Sequence, residues 1–106
     1  MEDLSFHHPV RERAGGIRQS AIVGVVASGN LEVLVERVLP DAECAVEIKT
    51  AAMGFGEVWS AVIGDFVERY SPGGLKFSIA NDGGARPDTV SLRLAQAVRL
   101  IAGSDR

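Results

Sequence analysis

Ser28 is the residue whose position most favours chemistry in this sequence. It belongs to a Ser28-Gly29-Asn30 break between two apolar, β-branched runs, residues 21–27 and 31–38. This pattern is typical of a β-hairpin and places the Ser28 hydroxyl at an exposed tip, with no base nearby in the sequence to activate it. The residues therefore favour modification of Ser28 by another protein over catalysis by Ser28 itself. A serine at such a tip is usually only a turn former, so both roles stay open at this level.

Two catalytic motifs are excluded around Ser28. A serine hydrolase elbow needs glycine two residues before and two residues after the nucleophile, where this chain has Val26 and Asn30. The two histidines, His7 and His8, lie near the N-terminus, so no catalytic triad is expected. The glycines of residues 24–29 lack the lysine and the following helix that a phosphate-binding loop requires.

Metal chemistry is also not expected. His7 and His8 are adjacent and would point in different directions in an extended chain, and Asp82 and Asp88 are too isolated to complete a site. The loop over residues 82–88 combines charges with glycines and could contact a partner or a phosphate. Its simpler interpretation is a turn in which Asp88 caps the last helix. The sequence thus predicts no catalytic residue and no metal ligand.

Composition limits the classes of function further. The chain has 106 residues, enough for one domain, with 46% hydrophobic and 24% charged residues and a formal net charge of −3. It shows no basic patch that would attract nucleic acid. It has neither an apolar run of membrane-spanning length nor the features of a signal peptide. The single cysteine, Cys44, favours a reducing compartment, the cytoplasm, and its apolar neighbours favour a buried role.

Alternating apolar residues predict four strands. Their ranges are residues 22–27, 31–38, 45–50 and 75–79, with a further short edge strand possible at residues 4–6. Glu32, Glu36 and Glu47 lie opposite the apolar positions of their strands, so a solvated sheet face explains them. Leu34 breaks the alternation, which indicates that this second face is partly covered.

Three- and four-residue spacing predicts two helices. Apolar residues from Trp59 to Tyr70 form one stripe of an amphipathic helix that begins at about Glu57. A last helix runs from Asp88 to about Ala102, although residues 90–94 also fit a strand. Glycine and proline end the first helix, and Gly103 ends the second.

The predicted fold class is α+β. The order β-β-β-α-β-α gives a two-layer sandwich with a mainly antiparallel four-stranded sheet and two helices on one face. Short connections make the first three strands an antiparallel meander. Residues 1–20 are expected to be an irregular, flexible N-terminal segment, and residues 21–106 a single domain.

Three stretches carry a family resemblance. Residues 24–34, Gly-Val-Val-Ala-Ser-Gly-Asn-Leu-Glu-Val-Leu, resemble the hairpin of the acyl carrier (delta) subunit family of bacterial malonate decarboxylase. Residues 4–6 match its Leu-Ser-Phe start, and residues 82–96 look like its C-terminal stretch. Trp59 also lies where that family has a helix tryptophan. The match covers nearly the whole chain.

The resemblance implies a non-catalytic carrier domain with its site at Ser28, Gly29 and Asn30. Ser28 would hold a 2'-(5''-phosphoribosyl)-3'-dephospho-coenzyme A group through a phosphodiester bond, installed by a dedicated transferase, the holo-carrier synthase. The thiol of that group would carry acetyl and malonyl thioesters to the acyltransferase and decarboxylase subunits of the same complex. Asn30 replaces the usual aspartate of the family, which removes one negative charge beside the site.

Two alternatives to this function remain at the level of sequence. The citrate lyase gamma-chain family has a similar hairpin and would imply a carrier for a different acyl group. A small interaction domain without a prosthetic group would use Ser28 only to form a turn.

Overall fold

The chain folds into five strands and two helices within the residues that the computed structural model describes. These are residues 2–16, 18–23, 31–50, 54, 56–81 and 87–102. The elements are β1 (Glu2–Pro9), β2 (Ser20–Val23), β3 (Leu31–Arg37), β4 (Glu43–Thr50), α1 (Gly56–Tyr70), β5 (Leu75–Asn81) and α2 (Pro87–Ala102). The α+β class predicted from the sequence is confirmed.

The five described strands form one mixed sheet in the order β1-β4-β5-β3-β2. All neighbouring strands are antiparallel except β4 and β5, which are parallel. A parallel pair needs a long crossover connection, and α1 provides it between β4 and β5. The predicted four-stranded sheet is therefore wrong in strand number, whereas its mainly antiparallel character agrees with three of the four strand pairs.

The predicted meander is wrong because β5 lies between β3 and β4. The start of β5 is fixed there by Gly74, whose N–H donates to the Glu43 carbonyl at 2.8 Å and whose carbonyl accepts from the Leu39 N–H at 3.1 Å. The connection over residues 38–42 thus passes the end of β5 and spans two strand spacings, roughly 10 Å. A short connection of this length does not require its two strands to be neighbours.

The N-terminal residues are more regular than their composition indicated. Strand β1 pairs with β4 over its whole length, from Glu2 opposite Thr50 to Pro9 opposite Glu43, where only a short strand at residues 4–6 was expected. Beyond it, Ala14 is buried and its N–H donates to the Gly73 carbonyl at 2.9 Å. Residues 2–9 are therefore a strand, and the irregular structure expected for them is corrected. The mobility expected of residues 1–20 stays a prediction.

Both helices cover one face of the sheet, as predicted. The core joins alternate residues of the central strands to the apolar stripes of α1 and α2. Phe66 of α1 packs edge-on against Phe77 of β5, with ring centroids 5.3 Å apart, which adds about 1 kcal/mol beyond the area it buries. The strand alternative for residues 90–94 is wrong, because they lie inside α2. Fully buried members of the core include Trp59, Ile63, Phe66, Phe77, Ile48, Leu75, Val33, Val35, Val46, Val90, Leu94 and Ile101.

Arg37, at the end of β3, forms hydrogen bonds with backbone carbonyl groups of two other segments. Its guanidinium donates to the carbonyl oxygens of Ala14, Gly15 and Arg18 at 2.8, 2.8 and 2.9 Å, and to that of Ile101 at 3.3 Å. The five donors of arginine suit this clustering of carbonyl groups. The contacts tie the segment that precedes β2 to the last turn of α2.

Candidate functional site

The predicted hairpin around Ser28 is supported by its two strands. Strand β2 pairs antiparallel with β3, from Ser20 opposite Glu36 to Val23 opposite Val33. Residues 24–30 connect the end of β2 to the start of β3 and contain Ser28. Ser28, Gly29 and Asn30 lie outside the described residues, so the exposure of the Ser28 hydroxyl stays a prediction.

The base of this hairpin is well packed. Val23 is 6% exposed, and Val33 and Val35 are fully buried on the helix side of the sheet. Strand β3 is held between β2 and β5, and α2 packs against both β2 and β3. A connection that leaves two such strands begins and ends on a rigid support, which suits a residue that must be presented to other proteins.

Three connections begin or end at the same end of the sheet. The register places Leu31, where the hairpin connection ends, opposite Asn81 of β5, and Asn81 beside Thr50 of β4. The connections over residues 51–55 and 82–86 therefore leave the sheet where the hairpin connection joins it. Helices α1 and α2 also begin at this end, because each directly follows one of these connections.

The loop over residues 82–88 is described only in part. Residues 82–86 lie outside the described residues, and α2 begins at Pro87. Proline is favoured at the first position of a helix because its missing N–H would have no helical partner there. Asp88 consequently falls in the first turn of α2 and not before it, so its expected role as the capping residue is not supported. Contact of this loop with a partner or a phosphate remains a prediction.

Cys44 is buried, as its neighbours indicated. Its side chain is fully enclosed, and desolvation raises the pKa of its thiol to about 12. The thiol is therefore protonated at neutral pH and shielded from solvent, which makes Cys44 unsuitable as a nucleophile or an acyl carrier.

The side chains of the histidines and of the strand glutamates point in the directions predicted from the sequence. His7 is exposed and His8 is half-buried at successive positions of β1, so the two rings point to opposite faces. Glu32 and Glu47 are exposed and Glu36 half-buried on the sheet face away from the helices. Within the described ranges, no three of the His, Cys, Asp and Glu side chains lie close enough to hold a metal ion.

A groove at the opposite end of the sheet is one feature that the sequence did not indicate. It has a volume of about 520 Å³ between residues 8–11 and α1, and its polar lining includes His8, Arg11, Glu68 and Ser71. The end of β1 and the end of α1 meet there only because β1 pairs with β4, a long-range contact that has no local signal. The groove lies away from the hairpin connection.

The length and apolarity of the two described helices decide whether either could cross a membrane. Helices α1 and α2 have 15 and 16 residues, and neither of these two is long and apolar enough to cross a membrane.

Comparison with known proteins places this architecture in a family. The sequence model of the malonate decarboxylase delta subunit (MdcD) family matches residues 18–101. The malonate decarboxylase acyl carrier protein of Bradyrhizobium diazoefficiens is 88% identical over 102 residues, which are 96% of each chain. That of Xanthomonas campestris is 51% identical over 105 residues, 99% of each chain.

A solved structure agrees with these relatives. A chain in the crystal structure of a Pseudomonas malonate decarboxylase hetero-tetramer in complex with malonate is similar to this fold, with a TM-score of 0.80 and 35% identity. The similarity covers 95% of this chain and 99% of that one. The family resemblance carried by the Ser28 segment is thereby confirmed over nearly the whole sequence, and the chain belongs to the malonate decarboxylase delta subunit family of acyl carrier proteins.

Proposed function

We propose that this chain is the acyl carrier subunit of a cytoplasmic malonate decarboxylase and that Ser28 is its point of attachment for a phosphoribosyl-dephospho-coenzyme A group. The observation that carries the proposal is the antiparallel pairing of β2 with β3. It makes residues 24–30 a hairpin connection, so that Ser28 lies between two strands fixed in the sheet. The family supports the carrier function over a citrate lyase-type carrier or an interaction domain, since the relatives described above are malonate decarboxylase subunits.

The burial of the chain's own thiol supports an attached group that supplies an accessible one. An acyl thioester requires an accessible thiol, and the one cysteine of the sequence is Cys44. Because Cys44 is buried with its pKa raised to about 12, it cannot take up and release acyl groups. The attached group would supply the missing thiol, which carries acetyl or malonyl as a thioester.

Each site residue has a distinct part in this proposal. Ser28 provides the hydroxyl oxygen that becomes esterified to phosphate. Gly29 has no side chain, which leaves room beside the backbone for the transferase and the phosphodiester. Asn30 tolerates turn conformations and replaces a carboxylate of the family pattern by a neutral amide.

The carrier itself needs no acid, base or metal. Attachment between two strands of the sheet keeps the acyl group near the partner subunits at an effective concentration of roughly millimolar, the order expected for short flexible links. The proposed partners are the acyltransferase and decarboxylase subunits of the complex and, before assembly, the holo-carrier synthase.

Intact mass spectrometry tests the attachment. The chain is produced together with the holo-carrier synthase, and we expect a gain equal to one phosphoribosyl-dephospho-coenzyme A group. Ser28→Ala should abolish this gain, whereas Ser20→Ala should retain it, because Ser20 is exposed at the far end of the same hairpin. Modification of the Ser28→Ala protein would show that another residue is the attachment site.

A further inference from the structure

No described element covers the sheet face away from the helices, and apolar residues of this face lie next to the hairpin connection. Ile22 of β2 lies directly opposite Leu34 of β3 on this face. Ile22 is 60% exposed and Leu34 is half-buried. Leu34 is the residue that breaks the alternation of apolar and polar residues in β3, which indicated that something packs on this face. None of the described elements does so.

Two carboxylates flank this apolar pair. Glu32 and Glu36 lie two positions before and after Leu34 on β3, so their side chains point to the same face. Glu47 of β4 forms an ion pair with Lys76 at 3.7 Å, but among the described residues neither Glu32 nor Glu36 forms one. We call Ile22, Glu32, Leu34 and Glu36 the acidic-apolar patch.

The surface next to the patch is concave. A depression of about 280 Å³ is lined by Glu32 and Leu34 of β3, Ser78 and Ala80 of β5, and Glu47 and Lys49 of β4. The small side chains of β5 form its floor between the longer side chains of the flanking strands. A protruding side chain of a partner can therefore enter beside Leu34.

We infer that the acidic-apolar patch is the docking surface for a basic, apolar-centred surface on the enzyme subunit that acts on the acyl thioester of the group attached to Ser28. Arginine or lysine side chains of that subunit would pair with Glu32 and Glu36, around an apolar centre that covers Ile22 and Leu34. The inference rests on the proposed function, because it assumes that this chain presents an acyl thioester to a partner.

Position and charge both favour this occupant. The patch lies on the two strands that lead directly into residues 24–30, so a protein docked on it is close to the attachment residue. A second copy of this chain is a poorer occupant, since a two-fold interface would bring the same glutamates of both copies together. The net charge of −3 also favours approach of a basic partner.

Charge reversal tests the electrostatic part of the inference. The chain is first loaded by the synthase and checked by intact mass, and its dissociation constant for the remaining subunits is then measured by biolayer interferometry. We expect Glu32→Lys to weaken binding about tenfold, and less so in high salt. The control, Glu68→Lys, makes the same change in net charge at an exposed position of α1 and should bind like the original chain.

Apolar truncation tests the centre of the patch. Ile22→Ala should weaken binding at least about threefold. Val38→Ala is the matched control, because Val38 is 61% exposed and Ile22 is 60% exposed, and it should have no effect on binding. Unchanged affinity for both Glu32→Lys and Ile22→Ala in fully loaded protein would overturn the docking surface while leaving the proposed function intact. A homodimer that Ile22→Ala dissociates would also overturn it, whereas failure to load any variant would count against the proposed function.

Discussion

Arg37 and Ala14 are 23 positions apart in the chain, yet Nη1 of Arg37 lies 2.8 Å from the Ala14 carbonyl oxygen. This contact joins the end of β3 to the segment that leads into β2, so it stabilises the pair of strands that flank residues 24–30. The stability of the hairpin base and the packing of the N-terminal residues are therefore linked through one side chain.

Replacement of Arg37 should loosen this link. In Arg37→Lys the charge is kept, but a single ammonium group cannot reach four separate carbonyl oxygens. We expect a loss of about 2 kcal/mol in the free energy of unfolding, measured by urea denaturation, because several charge-assisted hydrogen bonds are lost. Hydrogen exchange should become faster at residues 14–16. Arg99→Lys, at an exposed position of α2, should change neither measurement.

Gly16 should tolerate a side chain worse than Gly54, although the two have nearly the same φ angle. Their φ angles are +85° and +86°, in the left-handed region that disfavours other residues. A Cβ at Gly16 would lie 2.6 Å from the Ala102 carbonyl oxygen, whereas one at Gly54 would have no heavy atom of the described residues within 4 Å.

The two alanine variants separate backbone strain from steric overlap. Gly54→Ala should lower the free energy of unfolding by about 1 kcal/mol through strain alone, and Gly16→Ala by about 3 kcal/mol, since residue 16 must also move away from α2. Thermal and urea denaturation check both values. Equal losses would contradict the close approach of Gly16 to the end of α2.

Stability at alkaline pH should depend on Cys44. The pKa of its thiol is raised to about 12 in the folded chain, above the ordinary value of 9.0. Between these values the unfolded chain releases a proton that the folded chain retains, so the contribution of Cys44 to stability is complete below pH 9 and is lost as the pH rises toward 12.

A cysteine-free variant isolates this contribution. Cys44→Ala should show a shallower decline in the free energy of unfolding between pH 9 and pH 11 than the original chain, measured by urea denaturation at each pH. In the same pH range the native thiol should react with a thiol reagent only as fast as the chain opens. Identical pH profiles for the two proteins would contradict the buried thiol.

The sequence predicted what depends on local periodicity. The apolar stripe from Trp59 to Tyr70 placed α1 within one residue of its observed start, and the last helix was placed equally well. The burial of Cys44 and the outward position of the strand glutamates also followed from alternation along single strands. These features depend on which face of an element is apolar, and a single segment of sequence contains that information.

The neighbours of each strand could not be predicted in the same way. Whether β5 lies at an edge or between β3 and β4 depends on contacts such as Ile48 beside Ile79, which are far apart in the sequence. The complete burial of Leu75 and Phe77 is typical of a central strand, and their alternation was visible, but alternation alone does not distinguish a central from an edge position. The site was predicted through the residues around Ser28 and the family they resemble, because a carrier function leaves no catalytic pattern.

The insertion of β5 has a consequence for synthesis on the ribosome. The segments that form β3 and β4 are translated well before Leu75–Asn81, yet each pairs with β5 and not with the other. Until residue 81 leaves the exit tunnel, both nascent strands have an unpaired backbone edge, which can associate with other chains. The β2–β3 pair is local in the sequence and does not depend on β5, so it can form before the sheet is complete.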